Sequence, residues 1–446
     1  MTAGRAASIA ILATLLLIVV AFALTWRPAI GPSEPQPRSS FDPALIAKGA
    51  QLAAIGDCNA CHTAPNGKTY AGGRALQTPF GTIYGTNITP DPYTGIGNWS
   101  EEAFVRAMQR GIDRAGRHLY PAFPYEHFTR VAGDDLHALY AYVMTREPVR
   151  AETPANRLPF PFNIRPLLAG WKLLYLDHAA FRPDSEQTTE WNRGAYLVQG
   201  LAHCGACHTP RTTLGAENQR NRFDGGEIEG WHAPALNASS PAPAPWSAER
   251  LYNYLRTGSD PAHGTTSGPM VPVVHNLSGA PEEDVRAIAT YVASFTLQVP
   301  AERQKKGEAL VAHTQADAMT APAARQPANG VQDRGASTYA GACAVCHEVP
   351  RDPTYSGAAL DLRLSSAVSA PTPRNFLNFV LLGVAPGAGE RGRWMPGFAG
   401  VFTDEQLVTL ANYVRQTYGG GGQPWQHVGD EVSKARRSAA KSYAQR

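Results

Sequence analysis

Cys58-Asn-Ala-Cys61-His62, Cys204-Gly-Ala-Cys207-His208 and Cys343-Ala-Val-Cys346-His347 together use all six cysteines of the chain. Cys-x-x-Cys-His is the attachment pattern of c-type haem. Two thiols one helical turn apart reach the two vinyl groups of a porphyrin, and the next residue offers an imidazole to the iron. Structural zinc also uses Cys-x-x-Cys pairs, but it does not require His at the next position. With only 13 His in 446 residues, His directly after all three pairs is not accidental. The reading is three covalently bound haem c groups, held by Cys58, Cys61, Cys204, Cys207, Cys343 and Cys346, with His62, His208 and His347 as axial ligands.

Length fits about three domains of 100–150 residues, one per haem. A formal charge of +3 does not point to nucleic acid as a partner. The 36 prolines and 42 glycines suggest short helices joined by ordered loops.

Ala6 to Trp26 carries no charge and is bracketed by Arg5 and Arg27. About 20 apolar residues suffice for a membrane helix, whereas the apolar core of a secretory signal is about 7–15 residues. A retained anchor is favoured, with cleavage at Ala21-Phe22-Ala23 as the alternative. Either way the body is exported, which places it at the periplasmic face of a bacterial inner membrane.

The chain repeats itself three times. Lys48-Gly49-Ala50, Arg193-Gly194-Ala195 and Arg334-Gly335-Ala336 each precede a haem motif. Each repeat closes with an acid-led amphipathic helix: Asp134 to Met144, Glu283 to Ser294 and Asp404 to Gln416. A glycine on the first helix and an aromatic on the last allow a close crossing. This pattern resembles the class I cytochrome c fold. The expectation is an all-α chain: anchor or signal 1–27, stalk 28–40, cytochrome domain 41–150, linker 151–186, second domain 187–298, linker 299–330, third domain 331–418 and tail 419–446. Leu167 to Leu176 is too short to span a bilayer and is expected to pack between the first two domains. Residues 299–333 read as a flexible connection, and the tail from Gly419 as mobile.

A sixth iron ligand is expected from the loop before each closing helix. Met270, in Gly268-Pro269-Met270, and Met395, in Trp394-Met395-Pro396, occupy that position in repeats two and three. In repeat one the corresponding residue is Phe123, which cannot bind iron. His127 is the favoured replacement, with His118, Met144, Met108 and an open iron as alternatives. The remaining histidines, His137, His178, His232, His263 and His275, are scattered, and no catalytic residue is assigned.

Beyond the anchor, the chain resembles the triheme cytochrome c subunits of membrane-bound bacterial dehydrogenases. The words that carry the resemblance are Gly116-Arg117-His118-Leu119-Tyr120-Pro121-Ala122, Trp191-Asn192-Arg193-Gly194-Ala195-Tyr196-Leu197, His203-Cys204-Gly205-Ala206-Cys207-His208 and Met395-Pro396-Gly397-Phe398. One branch of that family accompanies flavoproteins that oxidise alcohols, gluconate, fructose or sorbitol. Another accompanies molybdenum hydroxylases with an iron–sulfur subunit. The flavoprotein branch usually has Met where this chain has Phe123. Together with Gly230-Trp231-His232-Ala233-Pro234 and Pro245-Trp246, that departure looks more like the molybdenum branch. The resemblance implies electron transfer from a partner dehydrogenase to membrane quinone or a terminal oxidase, without substrate chemistry in this chain. Two other readings remain: a multihaem peroxidase using an open iron in domain one, and the cytochrome subunit of a terminal oxidase.

Intact-mass measurement of the denatured protein is expected to show three retained haems. A smaller gain removes one motif from the reading.

Overall fold

A computed structural model describes residues 11–14, 19, 25–319, 334–348, 360–385 and 394–444. Most of the expected anchor, including its alternative cleavage site, lies outside these residues, as does 320–333 of the second linker. Among the described residues, no helix is long and apolar enough to cross a membrane.

The chain divides into two compact units. The first holds residues 1–183 with 199–203 and 213–216, and the second holds the rest. Both are helical, but among the described residues three short antiparallel hairpins interrupt the expected all-α pattern: β1–β2 (Ala75–Thr78, Gly81–Tyr84), β3–β4 (Gly226–Ile228, Trp231–Ala233) and β5–β6 (Ser259–Asp260, Gly264–Thr265).

In the first unit, α1 (Pro43–Ile55) starts where the Asp42 side chain accepts from the Ala44 N–H and Pro43 presets the first turn. The motif helix α2 (Cys58–His62) follows. Helix α3 (Glu101–Arg110) is capped by Ser100 and ends at the left-handed Gly111. A single turn, α4 (Tyr125–Phe128), leads to the closing helix α5 (Gly133–Met144), whose first turn carries Asp134 and Asp135.

Helix α1 crosses α5 at Gly49, where a Cβ would lie 2.0 Å from the Ala138 carbonyl oxygen and 2.6 Å from Tyr142 Cβ. Only glycine permits that approach. The Lys48 ammonium, one residue earlier, pairs with Asp135 at 2.7 Å.

The second unit builds the same joint twice. Gly194 on α7 (Thr189–Gln199) faces the Ala287 carbonyl and Tyr291 on α11 (Glu282–Thr296), a Cβ falling 1.9 Å from that oxygen. Arg193 grips Asp284 with two hydrogen bonds, at 2.7 and 3.0 Å. Gly335 on α13 (Arg334–Ala342) likewise meets the Thr409 carbonyl and Tyr413 on α16 (Asp404–Tyr418), and Arg334 pairs with Glu405.

Helix α6 (Leu167–Tyr175) lies in the first unit, where buried Lys172 donates to the Arg110 and Gly111 carbonyls and Trp171 Nε1 donates at 2.9 Å to the carbonyl of Leu214, a residue of the expected second domain. Two expectations need correction. Residues 301–319 are not a flexible connection but helix α12 (Ala301–Met319), because Val311 drops into an apolar cluster with Ala244, Ala262 and Leu364. Arg303 also donates to the Ala238 and Ser240 carbonyls. The basic tail is helix α17 (Val428–Ala444), which buries Val432, Ala435 and Ala439 in the cluster that holds Leu407, Leu410 and Trp425. Arg436 bonds the Ala399 and Phe402 carbonyls and pairs with Asp404, which ties this helix to the start of α16.

Replacing Gly194 with Val is expected to destabilise the second unit by about 1–3 kcal/mol or more, since backbone cannot yield as a side chain can. Gly341→Ala, at a helical glycine with open space around it, is expected to be neutral or to stabilise by about 0.5–1 kcal/mol. Denaturant midpoints of the two variants check this, and the reverse order refutes the crossing account.

Candidate haem sites

Each motif helix presents its histidine in the same way. His62 donates through Nδ1 to the Thr86 carbonyl at 2.6 Å, His208 to Pro234 at 2.7 Å and His347 to Leu360 at 3.1 Å. That donation fixes the tautomer and makes Nε2 the nitrogen with a lone pair, as a metal-ligating histidine requires. Burial lowers the pKa of His62 and His208 below the usual histidine value, which further favours neutral imidazole.

The cysteines are thiols, not disulfides. Burial pushes Cys58 and Cys204 up to about 12 and Cys343 up to about 11. Thiols held protonated in this way do not suit a zinc thiolate site. Among the described residues, no three His, Cys, Asp or Glu side chains gather into a metal-binding group.

Two glycines let the returning chain close over the motif. A Cβ on Gly85 would lie 1.9 Å from the Cys61 carbonyl oxygen, and one on Gly226 would lie 2.4 Å from that of Cys207. These residues fit a covalently attached haem.

The sixth-ligand candidates are held in different ways. Met270 is the first residue of α10 (Met270–Ser278), after Gly268, whose positive φ of 58° lets the backbone lie against the Trp231 ring. Met395 is bridged to Val384 by two backbone hydrogen bonds, at 2.8 and 2.9 Å. Gly383, at φ 71°, approaches the Met395 carbonyl so closely that a Cβ would sit 2.4 Å from it. The Met395 loop is thereby pinned to the end of α15 (Arg374–Leu382).

In the first unit, Phe123 packs edge-on against Phe128 at 5.2 Å. His127 Nδ1 lies 3.0 Å from the Gln199 carbonyl, a contact in which the ring must be the donor, and its ring lies 6.3 Å from that of His203. This repeats the arrangement of the three motif histidines. His118 differs, because Nε2 meets the Thr25 carbonyl at 2.8 Å and Nδ1 meets the Lys172 ammonium at 3.2 Å. With both ring nitrogens engaged, His118 is a structural tie between the chain entry and α6. Met144 is core, clustered with Ile96, Tyr140 and Val143, and Met108 is also buried.

Two features escaped the sequence. The β3–β4 hairpin, which contains Gly230-Trp231-His232-Ala233, docks on α15: Asn375 exchanges two hydrogen bonds with the His232 backbone, and Trp231 stands edge-on to Phe379 at 5.6 Å. Arg374 then joins Glu227 and Glu431. His263, whose imidazole meets Asp260 at 2.8 Å and the Ala244 carbonyl at 3.2 Å, stacks on Trp246 with ring centroids 3.4 Å apart. Neither arrangement has periodic spacing that could have revealed it.

Comparison with known proteins agrees with this geometry. Residues 330–414 match the family "Cytochrome C oxidase, cbb3-type, subunit III". The chain is 44% identical to a nicotinate dehydrogenase component of Pseudomonas putida over 94% of its own length, but it spans only 34% of that protein. It is 37% identical to the fructose dehydrogenase cytochrome subunit of Gluconobacter japonicus, covering 87% of this chain and 82% of the relative. It is 33% identical to the cytochrome c subunit of alcohol dehydrogenase (quinone) of Gluconacetobacter polyoxogenes, covering 90% and 86%. Coverage of that extent, with the haem motifs in place, shows that the chain belongs to the cytochrome c subunits of bacterial dehydrogenases.

Proposed function

We propose that this chain carries three covalent haems and relays electrons from a partner dehydrogenase to membrane quinone or a terminal oxidase, at the periplasmic face of a bacterial inner membrane and held there by its N-terminal segment. The observation that carries the reading is the threefold Cys-x-x-Cys-His motif in which every histidine donates Nδ1–H to a backbone carbonyl. When bound, haem supplies reversible one-electron chemistry at iron. The protein's work is to hold, orient and shield that group.

His62, His208 and His347 would each supply a nitrogen ligand to the iron, and the cysteine pairs would hold the haem covalently. Met270 and Met395 supply thioether sulfur in the second and third domains, which favours the reduced state and raises the potential. His127 would supply the sixth ligand in the first domain: its Nδ1 donation to the Gln199 carbonyl leaves the ring in the same tautomer as the motif histidines. A second imidazole makes that centre the lowest in potential of the three.

The greater identity to the nicotinate dehydrogenase component than to the fructose and alcohol relatives supports a dehydrogenase of a nitrogen heteroaromatic as partner over one of a sugar or alcohol, in line with the molybdenum-hydroxylase branch, with its iron–sulfur subunit, that the sequence resembles. The quinone in the name of the alcohol dehydrogenase relative supports quinone as acceptor. The match of residues 330–414 to an oxidase family gives the terminal-oxidase reading its one support. Purification of the native complex separates these: a co-purifying hydroxylase supports the proposal, and a copper–haem core overturns it.

His127→Ala is expected to turn one haem of three high-spin in the ferric spectrum and leave the other two unchanged. Three low-spin haems in that variant refute the assignment and make Met144 the next substitution. Met395→His is expected to lower one midpoint potential by on the order of 0.1 V or more while the other two hold. Redox titration checks it, and an unmoved potential shows that Met395 is not a ligand.

A further inference from the structure

The outward side of α6 is apolar where a water-facing helix is polar. Leu167, Gly170, Leu173 and Leu174 recur at helical spacing on that side, with Leu173 79% and Leu174 69% exposed, while Lys172 on the opposite side is buried against the first unit. The loop just before it adds Phe160 at 78%, together with exposed Phe162 and Ile164. Six large apolar side chains within fifteen residues of one unit form a patch of the kind that marks an interaction surface.

Several observations say what covers it. His118 bonds the Thr25 carbonyl through Nε2 and Lys172 of α6 through Nδ1. The uncharged sequence Ala6 to Trp26 therefore joins the first unit one side chain away from α6. Trp26 at this junction is itself exposed, as an interfacial tryptophan would be. Arginines collect around the entry: Arg106 bonds the Pro28 carbonyl, Arg114 bonds Ile30 and Arg165 bonds His118, with Arg27 in the chain itself. Asp113, paired with Arg117, and Glu102, near Arg106, are acids among them. An apolar face rimmed by aromatics and arginine matches the acyl–headgroup boundary of an anionic bilayer.

We infer that α6 and the Phe160–Ile164 loop form an interfacial membrane foot that lies in the lipid surface beside the N-terminal segment. This rests on the membrane location proposed above and adds a second, monotopic contact. The foot fixes which side of the first unit faces the bilayer, which a single flexible stalk does not.

The test uses the full chain with its haems in vesicles of phosphatidylethanolamine and phosphatidylglycerol. Because all six native cysteines lie in the haem motifs, a nitroxide attaches at an introduced thiol. Leu173→Cys and Leu167→Cys report on the foot, and Gln51→Cys, exposed on α1, is the control. The ratio of accessibility to dioxygen over a water-soluble nickel chelate is expected to be several-fold higher at 173 and 167 than at 51. Equal ratios at all three sites overturn the inference. So does shielding of 173 that appears only when the dehydrogenase partner is added, which makes the patch a protein interface. N-terminal mass and retention after a high-salt wash, measured on the same samples, report separately on the anchor: a retained anchor with a water-exposed 173 sinks the foot alone, and a cleaved anchor with a lipid-exposed 173 sinks the anchor alone.

Discussion

Everything in this protein hangs from a backbone contact that no side chain may enter. At Gly49, Gly194 and Gly335, two helices meet with the carbonyl of one where the Cβ of the other would be. So close a crossing brings the start and end of each repeat together, and the chain between them must loop out and back. The motif helix and the ligand-bearing segment belong to that loop. The basic residue before each glycine and the acid in the closing helix's first turn lock the crossing angle, with Asp284 and Asp135 mostly withdrawn from water. A pair of that kind contributes more to register than to stability, because desolvation consumes much of the Coulomb gain.

The second recurring constraint is the imidazole tether. A free histidine side chain has two tautomers and a rotatable ring, and either freedom would blur its aim at a metal. Donation from Nδ1 to a carbonyl removes both at once. In the first two repeats the acceptor follows the second strand of a hairpin, after β2 and after β4, whereas in the third it is Leu360, thirteen residues beyond the histidine, so there the same hydrogen bond is reached through unlike local structure.

Haem potentials respond to what the loops place opposite the histidine, and here the repeats part company. Thioether residues sit at a helix start in one case and on a bridged loop in another. Where the first repeat carries Phe123, aromatic packing on Phe128 fills the space and a histidine follows four residues later. Under the proposed ligation, a handful of side chains would make the first repeat a redox site unlike the second and third.

The haem motifs and closing helices were legible in the chain because each depends on spacing within a few helical turns, and the glycine–aromatic crossings and the candidates Met270 and Met395 were legible because their order recurs from repeat to repeat. The ion pairs across the crossings were present as unpaired halves, Lys48 and Asp135 among them, too far apart in sequence to be joined without the fold. Helices α12 and α17 were misread as flexible because their apolar content is sparse: one or three small or branched residues suffice only when a cluster from elsewhere is waiting to receive them. The tie of His118 to Thr25 and Lys172, the docking of Trp231 on α15 and the outward apolar face of α6 were likewise decided by tertiary contact. Local spacing determines which residues can hold a cofactor. Only packing between distant segments decides which histidine is already engaged, and which apolar side chains are left facing out.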